Sequence, residues 1–229
     1  MTETAIAPPR HPAKFPPAII KAIAPFVHAA ARVLDPFAGV GKVGGLRDLC
    51  PGSVIYAVEI EPEWAAQCGR NGCRHVTIGD ARALPYPDDH FDAIVTSPVY
   101  GNKLSEHCNW KPDRKCITYK SYLGKDLNTG NAGRYYFWER EYADIHWRAW
   151  IEARRVLKPG GKMIVNAKNF IRLGEEQPVV EWHRDVLIAL GFEIVDVVQV
   201  ETPGMRYGAN ADKRSATEQI IIAELPHAV

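Results

Sequence analysis

Residues 32–41 read RVLDPFAGVG, a short apolar strand running into a glycine turn. With Lys42, Val43 and Gly44 the turn spells GxGxxG, and a helical pattern follows over Lys42–Cys50. A strand, a glycine-rich turn and a helix in that order are the first crossover of a parallel α/β sheet. Glycines let the backbone approach a nucleotide-like ligand. Glu59 ends the next strand, where an acid accepts hydrogen bonds from ribose hydroxyls.

The pattern extends outward from this crossover. FPPAIIKAIAPFVHAA (15–30) has helical spacing, with Pro16 and Pro17 suited to a helix start. SVIYAVEI (53–60) is a near-continuous apolar strand, as expected where both faces of a sheet are covered. A helix over 61–72 closes at Gly72. HVTIGDA (75–81) and FDAIVTSP (91–98) are the third and fourth strands. A helix at 138–158 stops at Pro159-Gly160-Gly161, and a fifth strand covers 161–168. A helix at 178–190 follows, then strands at 192–200 and 217–225 with no helix between them. Those last two are expected to pair antiparallel. The sum is a doubly wound, mostly parallel sheet with helices on both faces.

With 229 residues, 46% of them hydrophobic, the chain has the length of one α/β domain with insertions, or of two small domains. A net charge of +1 gives no global attraction to nucleic acid or membrane, so any basic face is local. No signal peptide is read at the start, and no apolar run reaches the ~18 residues that span a bilayer. The five cysteines are odd in number and irregularly spaced, which points to free thiols in a reducing cytoplasm. His107, Cys108 and Cys116 match no usual zinc spacing, and no metal is expected.

The residues before the first glycine separate two nucleotide-like ligands. Asp35 would repel a pyrophosphate but can accept hydrogen bonds from the amino-acid end of S-adenosylmethionine. A P-loop is excluded because no GK[ST] follows. Asp80, at the exit of the third strand, would meet an adenine amine. The fourth strand ends in Ser97-Pro98-Val99-Tyr100. An exocyclic amine on an aromatic ring is a poor nucleophile until acceptors take its N–H hydrogens. The Ser97 hydroxyl and Pro98 carbonyl can do so, with proline fixing the carbonyl direction. Tyr100 offers a ring face on which a planar base can stack. Transfer would be direct displacement on the sulfonium methyl, helped mainly by positioning.

On these strings the chain resembles the amino-group DNA methyltransferases, whose signature is [DNS]PP[YFW]. DPFAGVG is similar to their glycine motif, and HPAKFP (11–16) to their N-terminal cofactor motif. SPVYGN is similar to a phage and actinobacterial subgroup of small methylases. The resemblance implies an α/β, Rossmann-like class I methyltransferase: a seven-stranded, mostly parallel sheet with an antiparallel last strand. It implies a single domain over 1–229 with S-adenosylmethionine as cofactor. It puts His11, Lys14, Phe15, Asp35, Phe37, Gly39, Gly41, Glu59, Asp80 and Ala81 on cofactor positions, and Ser97, Pro98 and Tyr100 on catalytic ones. It implies DNA as partner, with N4 of cytosine favoured over N6 of adenine. Val99 replaces the usual second proline, which loosens the turn. No separate recognition domain of ordinary size is read, so selectivity is expected either to be weak or to come from the insertion 101–137 and the hairpin loop 202–216.

From 101 to 140 eight basic residues face four acids, with seven Tyr, Phe and Trp residues interleaved. Cations for phosphates beside aromatics for bases suit a nucleic-acid contact loop. A solvated loop whose aromatics pack on the core has the same composition. Three other readings stand beside DNA methylation: a methyltransferase for RNA or a small planar amine, a silent S-adenosylmethionine-binding partner subunit, and an NAD-dependent oxidoreductase that leaves Ser97–Tyr100 without a role. The sequence leaves the oligomeric state open.

Overall fold

Leu34 and Val33 are both fully buried, yet they belong to different apolar clusters, one on each side of a sheet. The same alternation recurs at Ile94 and Val95, Met163 and Ile164, and Ile221 and Ile222. A strand with two covered faces has no polar side to show, and this is why these segments read as continuous apolar runs. The computed structural model describes residues 15–101, 118–172, 175–202 and 215–227.

The main sheet has seven strands. They are β1 (Arg32–Asp35), β2 (Val54–Glu59), β3 (His75–Ile78), β4 (Phe91–Thr96), β5 (Leu157–Ala167), β8 (Glu193–Glu201) and β9 (Thr217–Glu224). Their order is β3-β2-β1-β4-β5-β9-β8. The first five run parallel, and β9 lies antiparallel between β5 and β8. The chain reverses direction of travel across the sheet between β1 and β4, so the ends of these strands frame a crevice. This is the α/β sheet expected, reversed last strand included.

Helices α1 (Pro17–Ile23), α2 (Pro62–Cys68), α3 (Tyr119–Leu123), α4 (Arg140–Val156) and α5 (Val179–Ala189) complete the elements, with several short 3-10 turns. In α4 the buried residues Tyr142, Ile145, His146, Ala149, Trp150, Ala153 and Val156 form one stripe at helical spacing. That stripe and α5 cover one face, while Ile19, Ile20 and Ile23 of α1 cover the other.

Three local expectations differ. Lys42–Asp48 forms 3-10 turns rather than an α-helix, where the Gly44-Gly45 pair lowers helix propensity. The insertion contains α3, started by a capping box between Thr118 and Ser121. A small antiparallel ribbon, β6 (Phe170–Arg172) with β7 (Glu175–Gln177), follows β5 and was not expected.

Candidate active site

The glycine turn is held by a carboxylate on the neighbouring strand. Glu59 accepts the Gly39 N–H at 2.7 Å through one oxygen and the Glu61 N–H at 2.9 Å through the other. Asp35, at the end of β1, accepts the Phe37 N–H at 3.1 Å. Burial pushes the Asp35 carboxyl up to about 7 and that of Glu59 up to about 8. The glycines divide by task. Gly41 has φ +78°, and a Cβ there would lie 2.7 Å from the Cα of Cys68 in α2, so this glycine permits close packing. Gly39 is the one whose N–H meets the acid.

A small, partly enclosed cavity opens beside this turn. Of the expected residues, Phe37, Glu59, Asp80, Ala81 and Ser97 line it, together with Ile60, Trp64, Val99, Gly130 and Asn131. Phe37 is seated from below, stacked on His146 with ring centroids 5.3 Å apart and edge-on to Trp150 at 5.6 Å. Burial would raise the Asp80 carboxyl, but the Arg82 guanidinium holds it below the usual range, at 2.6 Å from Nη2. Asp35, Gly39, Gly41, Pro98 and Tyr100 stand behind the lining. Phe15 packs on the opposite face of the sheet, against the cluster that contains Ile19. His11 and Lys14 lie outside the described residues.

At the far end, Ser97 leads a turn that continues from β4. Asn166 of β5 donates from Nδ2 to Ser97 Oγ at 3.3 Å and to Glu218 Oε2 of β9 at 2.7 Å. Tyr100 is half-buried against the core, and burial, with the Glu218 charge, pushes its phenol up. Val99 does not leave the turn loose. Its carbonyl accepts the Tyr142 hydroxyl at 2.9 Å, and its side chain packs with Trp64, Tyr119 and Leu127.

The insertion supplies a roof that the sequence did not reveal. Glu61 Oε1 accepts the Asn128 N–H at 2.7 Å and the Asn131 Nδ2 at 3.0 Å. This pins Gly130 over the cavity, so near that a Cβ there would come within 2.7 Å of Asp80 Oδ2 and of Ile60. Among the described residues, several of the cations and aromatics expected to meet nucleic acid are engaged within the protein, while Lys103, Trp110, Lys111, Arg114 and Lys115 lie outside the described residues. Lys120 pairs with Asp126 and Lys125 with Glu63. Arg134 donates to the Leu127 carbonyl. Tyr119 is buried, Phe137 packs on Tyr142 and Trp182, and Tyr136 stacks on Trp138. Residues 102–117 and the loop 203–214 lie outside the described residues, and with them His107, Cys108 and Cys116. Among the described residues no group of three or more His, Cys, Asp or Glu could hold a metal ion. Cys50, Cys68 and Cys73 are buried free thiols. No helix of the described residues is long and apolar enough to cross a membrane.

One protein family, described as a methyltransferase domain, matches residues 34–102. That span holds the glycine turn, Glu59, Asp80 and Ser97–Tyr100. The fold is that of the class I methyltransferases. Among solved structures, the [4+2]-cyclase SpnF is similar with a TM-score of 0.58 and 20% identity, over 92% of this chain and 81% of that one. TrmN from Thermus thermophilus gives 0.53 and 18%, over 90% of this chain and 48% of that one. The Burkholderia thailandensis 1,6-didemethyltoxoflavin-N1-methyltransferase gives 0.52 and 16%, over 92% and 77%. No curated protein matches the sequence. The resemblance to amino-group DNA methyltransferases is therefore corrected: the matched family is a general methyltransferase domain, and none of these neighbours is named as a DNA methyltransferase. Its motifs are short, and they are compatible with the general class I pattern.

The domain and the fold make S-adenosylmethionine the cofactor and methyl transfer the reaction class. The residues present fit that molecule. Glu59 is a buried acceptor at the end of β2, Ile60, Trp64 and Ala81 give apolar walls for a flat ring, and Gly79–Asp80 close one end. When bound, the cofactor supplies a methyl group on positively charged sulfur.

Proposed function

We propose that this chain is an S-adenosylmethionine-dependent N-methyltransferase for the exocyclic amine of a small planar molecule. In this reading Glu59 holds the ribose, Asp80 and Ala81 border the adenine, and Phe37 supports the reacting end. Ser97 and Pro98 accept the N–H hydrogens of the acceptor, so that its lone pair turns toward the methyl group. Tyr100 backs the acceptor from below. The chain's own contribution is placement and exclusion of water, with the roof at Asn128–Asn131 closing the chamber.

The observation that carries the choice of a small acceptor is the engagement of several described charges and rings of the insertion. Lys120, Lys125 and Arg134 have partners, Tyr119 is buried, Phe137 packs on Tyr142, and Tyr136 stacks on the exposed Trp138. A phosphate-tracking groove needs them free. The Burkholderia thailandensis neighbour is named for methylation at N1 of a small molecule, which agrees with this reading.

The test is transfer of labelled methyl from S-adenosylmethionine to a panel of small aromatic amines, with tRNA and duplex DNA run in parallel. Label on a small amine, lost in Ser97→Ala with S-adenosylhomocysteine binding intact, is the expected result. Label on nucleic acid alone overturns the choice of acceptor. Cofactor binding with no transfer, unaltered by Ser97→Ala, would favour a silent binding subunit.

A further inference from the structure

Two buried or half-buried groups behind Ser97 have no place in the reaction as described so far. Asn166 is fully buried at the end of β5, and Glu218 stands half-buried beside it on β9. A carboxylate accepts only, so the oxygen of Glu218 dictates which end of the Asn166 amide faces it. Its N–H group must point to Glu218 Oε2 at 2.7 Å, and the same nitrogen then donates to Ser97 Oγ at 3.3 Å. The Asn166 oxygen is left without a partner although it is buried. That costs about 1–3 kcal/mol by ordinary accounting, so the amide is held in this orientation against its own full satisfaction. Among the described residues no Lys or Arg pairs with Glu218.

Resting on the reading above, we infer that Glu218 is a positioning and charge-selecting residue for the acceptor. Through Asn166 it fixes Ser97 Oγ as an acceptor of the substrate N–H, and its negative charge favours amines that carry or develop positive charge over anionic planar molecules. The chemistry agrees. As the amine nitrogen forms its bond to the methyl carbon, the methyl–sulfur bond breaks and the sulfur keeps the electron pair. Positive charge thus moves to the nitrogen until its surplus proton leaves to solvent. A carboxylate three hydrogen bonds away lowers the energy of that nitrogen cation, and an amide relay transmits orientation without itself taking the proton.

The experiment uses the full chain loaded with S-adenosylhomocysteine, whose binding is first measured by calorimetry. Three flat probes of similar size are titrated: 4-aminopyridine as a cation, cytosine as a neutral amine and benzoate as an anion. Binding in that order is expected. Glu218→Gln should shrink the preference of 4-aminopyridine over benzoate on the order of tenfold, and Glu218→Asp should recover part of it. The Asn166 side-chain N–H resonances should shift in Glu218→Gln, while S-adenosylhomocysteine affinity and Tm stay near wild type. An unchanged ranking in Glu218→Gln, benzoate binding best, or no probe binding overturns the inference alone. Failure to bind S-adenosylhomocysteine overturns the methyltransferase reading and the inference with it.

Discussion

Tyr142 of α4 donates its hydroxyl to the carbonyl of Val99, 43 residues earlier in the chain, at 2.9 Å. The bond belongs to a buried chain. The Trp150 indole N–H, a donor only, points to His183 Nδ1 at 3.2 Å, which places the imidazole proton on Nε2. That nitrogen is 3.4 Å from Tyr142 Oη, so Trp150, His183 and Tyr142 each donate to the next, ending on the turn after Ser97. Burial, with His146 nearby, keeps His183 well below its ordinary range and therefore neutral, as the chain requires.

Tyr142→Phe removes the last donor and leaves the Val99 carbonyl unpartnered. A stability loss of about 1–3 kcal/mol is expected, read as a lower denaturation midpoint. The turn that carries Ser97 and Pro98 loosens, so turnover should fall on the order of tenfold while S-adenosylhomocysteine affinity holds. Unaltered turnover would show that the turn keeps its shape without this bond.

Stability should decline between pH 6.5 and 8. Glu59 rises from 4.5 to about 8 and Asp35 from 3.8 to about 7, so each binds its proton more tightly in the folded state. Their stabilisation is present below the unfolded values and is lost as pH rises through the folded ones. His146 runs the other way, from 6.5 down to about 4, and offsets them only below pH 6.5. Above that pH the two acids stand alone, with a slope of up to about 1.4 kcal/mol per pH unit for each. Tm measured across this window should fall, and Glu59→Gln should flatten the upper part. A flat wild-type profile would mean that neither acid holds its proton.

Gly41→Ala separates packing from ligand contact in the glycine turn. The new Cβ would press on the Cα of Cys68 at 2.7 Å and adopt φ +78°. A cost of roughly 2–5 kcal/mol follows from overpacking and left-handed strain together. The measured effect should be a lower Tm that bound S-adenosylhomocysteine partly restores. Weakened cofactor binding at unchanged Tm would move Gly41 to the ligand side.

The sheet was legible because residues buried on both faces leave continuous apolar runs, as in β2 and β4. Two acids that line the cavity were legible because Glu59 ends β2 and Asp80 lies just past β3. Glu61, Asn131 and Glu218 were not, since their meaning lies in partners 70 and 52 residues distant. The insertion misled for a related reason. Composition over 101–140 displays Lys125 but not Glu63, which lies outside that range and pairs with it. A four-residue string such as Ser97–Tyr100 fixes the acceptor chemistry of a turn, while the identity of the acceptor depends on surfaces that meet only in the fold.

The roof gives the last prediction. Glu61 is buried and ties down both Asn128 and Asn131 from a distant part of the chain. Glu61→Gln keeps the shape but exchanges a charged acceptor for a neutral one, weakening two hydrogen bonds that are each worth about 1.5–3 kcal/mol when charge-assisted. The loop at Asn128–Asn131 should then exchange its amide hydrogens faster, because opening needs no rupture of the core. S-adenosylhomocysteine should dissociate several-fold faster, with association little changed. Gly130→Ala should produce the same kinetic signature from the opposite cause, since its Cβ collides with Asp80 and Ile60 and props the roof open. Slow exchange at Asn128–Asn131 in both variants would show that the segment is not a cover for the cofactor chamber.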